Sequence, residues 1–119
     1  MRIEVVGRNV EVTGELHEYI HKRFQRVARQ VSELAELEIV LREETNPSIA
    51  EKEVAEATLH LKGVTLHAEE SAEKMKTAVR ELSDDIKRQV KRHRELRRKR
   101  SQTRRMVGRM RGRDTALGG

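Results

Sequence analysis

Glu36-Leu37-Glu38-Ile39-Val40-Leu41-Arg42-Glu43-Glu44, then Lys52-Glu53-Val54-Ala55-Glu56-Ala57-Thr58-Leu59-His60-Leu61, then Val64-Thr65-Leu66-His67-Ala68 alternate apolar with polar residues. A strand turns successive side chains to opposite faces, so alternation marks a sheet with one buried side. Leu37, Ile39 and Leu41 share the inner side of the first stretch. Ala55, Ala57, Leu59 and Leu61 share that of the second, with Glu53, Glu56, Thr58 and His60 assigned outward. Val64, Leu66 and Ala68 mark a short last strand. Thr45-Asn46-Pro47-Ser48 has loop composition and Lys62-Gly63 supplies a tight turn, so the three strands form an antiparallel meander.

Working upstream, Arg2-Ile3-Glu4-Val5-Val6 reads as a first strand, broken at Gly7-Arg8-Asn9, with Val10 and Val12 as a possible continuation. Thr13 stands where a helix N-cap belongs, since its hydroxyl can accept from a first-turn amide. Leu16, Ile20, Phe24, Val27 and Val31 follow at helical spacing and predict a helix over 14–31. Working downstream, Glu69-Glu70-Ser71 is expected to open a second helix, with Met75, Val79, Leu82, Ile86 and Val90 as its apolar stripe. The order β-α-β-β-β-α predicts an α+β two-layer sandwich: a four-stranded sheet with two helices packed on one face.

The 119 residues suffice for one modest core. Cysteine is absent, which excludes a disulfide framework and thiolate metal sites. Tyr19 and Phe24 are the only aromatics, too few for a surface on which bases stack. No apolar run approaches a membrane span and no secretory signal is present, so a cytoplasmic location is expected. The net charge of +6 conceals a partition. Residues 1–86 hold 12 Lys+Arg against 18 Asp+Glu, while residues 87–119 hold 14 against 2. The expected organisation is a folded domain over 1–98 and a basic, glycine-containing flexible tail over 99–119. A partner that is a polyanion follows, nucleic acid before an anionic membrane surface.

His17-Glu18-Tyr19-Ile20-His21 fits the H-E-x-x-H pattern of zinc hydrolases. The surroundings argue against it. Phe24 and Val27 stand where the extended pattern needs Gly and His, and the cations Lys22 and Arg23 follow directly. No nucleophile has a framed His and Asp, and no glycine loop precedes a helix to cradle phosphate. No enzyme, cofactor, metal or small-molecule substrate is expected.

The cations are the informative residues. With Met75, Val79 and Ile86 facing the core, Lys76, Arg80, Lys87, Lys91, Arg94 and Arg98 fall within an arc of about 60° at helical spacing. The stripe runs about 33 Å at 1.5 Å per residue, and Arg88, Arg92 and Arg97 widen it. Arginine outnumbers lysine eleven to three in 87–119, which suits phosphate recognition by a planar fork. A solvated helix end complementing its own dipole needs two or three cations, not fourteen. Without aromatics on the sheet, recognition of a folded RNA by shape and phosphates is the expected mode.

The run Ile3-Glu4-Val5-Val6-Gly7-Arg8-Asn9-Val10-Glu11-Val12-Thr13, with Leu16, Tyr19 and Ile20, resembles the start of the ribosome hibernation promoting factors, also called ribosome-associated inhibitor A or sigma-54 modulation proteins. Ala68 to Val90, with Met75, Ala78 and Val79, resembles that family's Met-x-x-Ala-[Ile/Val] helix. The resemblance covers about residues 1–98 and implies a non-enzymatic protein that binds the small ribosomal subunit between head and body. There it would occupy the mRNA and tRNA channel and silence translation in stress or stationary phase. It implies rRNA contacts through Arg8, Lys22, Arg23 and Arg26, and through Lys87, Arg88, Lys91 and Arg92. Lys74, Lys76 and Arg80 depart from the family pattern, which places Asp, an aromatic and Asp there. Long members carry a second domain that pairs ribosomes, so the chain reads as a short form or an N-terminal fragment. The alternative is a general RNA-binding accessory protein driven by its Arg-rich C-terminal segment.

Overall fold

A computed structural model describes residues 1–46, 48–50 and 52–118, with side chains as far as Arg100. Its elements are β1 (Arg2–Arg8), α1 (Gly14–Gln30), β2 (Glu36–Glu43), β3 (Glu53–Leu61), β4 (Val64–Ala72) and α2 (Met75–Gly118). The fold is the α+β arrangement that the alternation and the two apolar stripes imply. One four-stranded sheet has the order β1-β2-β3-β4. β1 lies parallel to β2, and the other neighbours are antiparallel.

Register follows the hydrophobic rows. Leu37 pairs with Leu59, Ile39 with Ala57 and Leu41 with Ala55. Leu59 in turn pairs with Leu66 and Ala57 with Ala68. A one-residue slip would send each row to the other face, so burial fixes the register. Leu16, Ile20, Phe24 and Val27 of α1 close over this row together with Ala78, Val79, Leu82, Ile86 and Val90 of α2. Ile20, Phe24, Leu59, Leu82 and Ile86 are fully buried, each contributing roughly 1.5–3 kcal/mol relative to exposure.

Three local readings are corrected. β4 is not short: it continues through Glu69, Glu70 and Ser71 to Ala72, which pairs with Glu53. The alternation carries on as Leu66, Ala68, Glu70, Ala72, and Ala68 and Ala72 are buried. α2 therefore begins at Met75, not at Glu69. Glu53 does not point outward with Glu56. It lies in register with Glu43 and Ala72, on the helix-side row. β1 ends at Arg8 without an extension through Val10 and Val12, because Asn9 turns the chain with φ 57°.

Gly7 is required at that turn, since a Cβ there would collide with the Val10 carbonyl oxygen. Thr13 caps α1 as expected: its hydroxyl accepts from the Leu16 amide at 3.2 Å. Gly63 closes the β3–β4 hairpin with φ 79°, a left-handed value that glycine adopts without a steric cost. The helical backbone of α2 runs to Gly118. The side chains of the expected tail beyond Arg100 lie outside the described residues.

Candidate nucleic-acid interface

The two helices run parallel, in matching register. Lys76 at the start of α2 reaches Glu15 at the start of α1 at 2.6 Å. Further along, Arg23 reaches Asp84 at 3.0 Å. Both links join residues sixty-one positions apart. The topology dictates this direction: β4, at the far edge, points the same way as β1 and β2, and each helix returns antiparallel to the strand before it.

The seam between the helices divides the expected contact residues into two sets. Arg23, Lys76 and Lys87 are engaged within the protein. Arg23 Nε donates to Ser83 Oγ at 3.1 Å, and its terminal nitrogen donates to Asp84. Lys87 Nζ lies 3.5 Å from the same Asp84 carboxylate. The Lys76 ammonium also sits 5.7 Å from the centre of the Tyr19 ring. The hydrogen bond and charge of Glu15 raise the Lys76 pKa, and those of Lys76 lower that of Glu15.

Arg8, Lys22, Arg26, Arg80, Lys91, Arg92, Arg94, Arg97 and Arg98 form the second set. Each is exposed, and among the described residues none has a carboxylate within ion-pair distance. Arg88 is exposed and its charge acts on Glu70. All but Arg8 stand on the two helices. The exposed cations past Val90 lie on a part of α2 where apolar burial has ended.

Ser83 escapes a sequence reading based on charge. It is fully buried at 0% exposure, donates to the Arg80 carbonyl at 2.8 Å, and accepts from Arg23. A serine on the apolar flank of a helix, three residues beyond a basic one, is the only signal it leaves.

The histidines of the H-E-x-x-H run stack, with ring centres 4.4 Å apart. His17 is exposed. His21 is half-buried and its Nε2 has no hydrogen-bond partner among the described residues. Burial, then the charge of His17, hold its pKa below the ordinary imidazole value. No group of three or more His, Cys, Asp or Glu able to hold a metal is formed among the described residues.

The uncovered sheet face is richer in carboxylates than in cations, with Arg2, Arg8 and Arg42 also standing on it. Glu4, Glu36, Glu38, Glu56 and Glu69 lie on it. Arg42 crosses its centre, 2.5 Å from Glu69, 3.6 Å from Glu56 and 3.7 Å from Glu44. The Glu38 carboxylate lies 3.7 Å from His60. The exposed cations gather on the helix layer, while the open strand face carries more carboxylates than cations.

The profile of the family described as "Sigma 54 modulation protein / S30EA ribosomal protein" matches residues 3–98. The chain belongs to this family. Its members are ribosome factors and not enzymes. The S30EA chain is 30% identical over 95 residues to the "Ribosome hibernation promoting factor" of Salmonella typhimurium, covering 80% of this chain and 95% of that one. It is 26% identical over 96 residues to the "Ribosome hibernation promotion factor" of a Picosynechococcus species. It spans about half the length of that relative, 50%. Among solved structures, the Thermus thermophilus Protein Y N-terminal domain superposes with a TM-score of 0.68 at 28% identity, covering 78% of this chain and 99% of that domain. A ribosomal subunit interface protein from Coxiella burnetii gives the same TM-score of 0.68 at 19% identity, covering 80% and 99%, and supports the fold. No helix among the described residues is long and apolar enough to cross a membrane.

Proposed function

We propose that this protein is a ribosome hibernation factor that binds the small ribosomal subunit and blocks the channel used by mRNA and tRNA. The observation carrying this reading is the helix layer, where exposed cations without carboxylate partners gather on α1 and α2. Such groups displace counterions from RNA phosphates without first breaking a bond inside the protein. Lys22, Arg26, Arg80, Lys91, Arg92, Arg94, Arg97 and Arg98 are the direct phosphate contacts of the helix layer in this reading, with Arg88 beside them, and Arg8 is a contact at the outer edge strand β1. Arg23 and Lys76 hold the helices in register, Lys87 pairs with Asp84 on its own helix, and together they present that surface. The relatives named as hibernation factors support the assignment, and the acidic sheet face supports one orientation of binding. The segment 99–119 acts as a basic extension of the 1–98 domain.

The test is co-sedimentation with purified small subunits over a salt series, with and without mRNA plus initiator tRNA. Expected are steeply salt-dependent binding and displacement by those ligands. Binding that persists unchanged with the channel occupied would overturn the reading. The Arg-rich content of 87–119 favours one alternative, a general RNA-binding accessory protein, in which any polyanion competes as well as the subunit does.

A further inference from the structure

α1 ends at Gln30, whereas α2 continues beyond the end of the sheet. The step between them leaves a cavity of about 550 Å³. Its wall is mostly apolar, built from Val31, Leu61 and Val90, and its rim carries Lys62, Arg94 and Arg97. Those three cations are exposed and, among the described residues, have no carboxylate partner. Glu36 is the one carboxylate on the lining. Leu34, on the lip, is 90% exposed and so costs little to change.

We propose that this cavity is a binding site for a nucleoside phosphate, its base against the apolar wall and its phosphate at Lys62 and Arg94. Three observations converge on that chemistry. The volume falls within the range of small-ligand sites and far exceeds what a phosphate ion fills. The wall is largely apolar and also carries the His60 and His93 rings, surfaces that suit the face of a base. Arg94 and Arg97 stand one helical turn apart, so one guanidinium can lie flat on a base while the other meets phosphate. This supplies a base contact that an aromatic-poor sheet cannot. The nucleotide comes from one of two sources: an unstacked nucleotide of bound RNA, in which case the site rests on the RNA-binding reading above, or a free mononucleotide.

The test uses the full chain, labelled for amide NMR, titrated separately with adenosine monophosphate, a single-stranded ribo-oligonucleotide, inorganic phosphate and ribose 5-phosphate. The expected result is a saturable shift of amides in 30–36, 60–62 and 90–97 with a base-bearing ligand. The base-free anions should move only the amides around Lys62 and Arg94, leaving those around Val31 and Val90 in place. Saturation by the mononucleotide assigns the free source, and saturation by the oligonucleotide alone assigns RNA. Leu34→Glu combined with Arg94→Glu is expected to weaken binding at least tenfold with the remaining spectrum unchanged. No base-dependent shift at the cavity, in protein that still sediments with small subunits, overturns the site and leaves the RNA-binding reading intact. A base-dependent shift in protein that ignores small subunits supports the site and removes that reading.

Discussion

Arg23 lies 3.0 Å from the Asp84 carboxylate across the α1–α2 seam, and its Nε is bonded to the buried Ser83 hydroxyl. A cation that the family resemblance assigns to rRNA thus also links two helices. Truncating Arg23 removes both links and leaves Asp84 with Lys87 alone at 3.5 Å. Arg23→Ala is expected to lower stability by about 1 kcal/mol, since the pair is partly solvated. Arg26→Ala should leave the melting temperature nearly unchanged and weaken subunit binding. Thermal unfolding of both variants beside co-sedimentation checks the split, and equal loss of stability in both would contradict it.

The exposed cations of α2 past Val90 should act additively through counterion release. Replacing Arg94, Arg97 and Arg98 with Ala is expected to flatten the slope of log affinity against log salt by about 1 per contact removed. The melting temperature should hold, because Val90 is the last buried residue of the helix among the described residues. An unchanged slope would take these three residues out of the interface.

Glu70 faces α2. Burial, the hydrogen bond with Asp85 and the charges of Asp85 and Glu81 raise its pKa above the ordinary 4.5, opposed by Arg88. The folded chain therefore holds the proton more tightly than the unfolded chain. Stability falls as pH rises from the unfolded value through the folded one, and the penalty is fully present above it. Glu70→Gln is expected to raise the melting temperature near neutral pH by roughly 2 °C. The gain should vanish below the ordinary carboxylate value, which a melting series across acid pH reads directly.

Two glycines should respond in opposite directions to the same change. Gly7→Ala drives a Cβ into the Val10 carbonyl oxygen and is expected to cost about 2 kcal/mol or more. Gly14, in the first turn of α1, has nothing within 4 Å of a built Cβ. Gly14→Ala is expected to stabilise by about 0.5–1 kcal/mol through reduced freedom of the unfolded chain. Denaturant midpoints separate the two.

The fold was legible wherever burial imposed a period. Leu37, Ile39 and Leu41 declared a strand, and Leu16, Ile20, Phe24 and Val27 a helix, because each row has to face one core. The end of β4 was not legible for the same reason. Glu70 and Ala72 continue the alternation with residues that carry little apolar signal, while Glu69-Glu70-Ser71 has the composition of a helix start. What settles it is pairing with β3 from Val64 to Ala72, and the partner strand is not visible in the local pattern. The same limit applied to Lys76 and Lys87. A wheel ranks cations by angle on one helix, but Glu15 lies on the other helix and Asp84 gains its role from Arg23. Arg92 and Arg98 could be placed on the basic flank of the second helix from sequence because exposure needs no partner.

The opposed signs of the helix layer and the open sheet face make the folded domain a directed object. Near a phosphate surface the carboxylates at Glu4, Glu38 and Glu56 are pushed away while the cations of α1 and α2 are drawn in, so the field exerts a torque before any contact forms. Encounters with the wrong side forward are repelled rather than merely unproductive. Arg42 is held among three carboxylates, and Arg2 and Arg8 stand on β1 at the rim of the same face. In the proposed RNA-binding reading the sheet thus disfavours approaches with that side forward, and adding cations to it is expected to shorten the search for any RNA while lengthening the search for the right one.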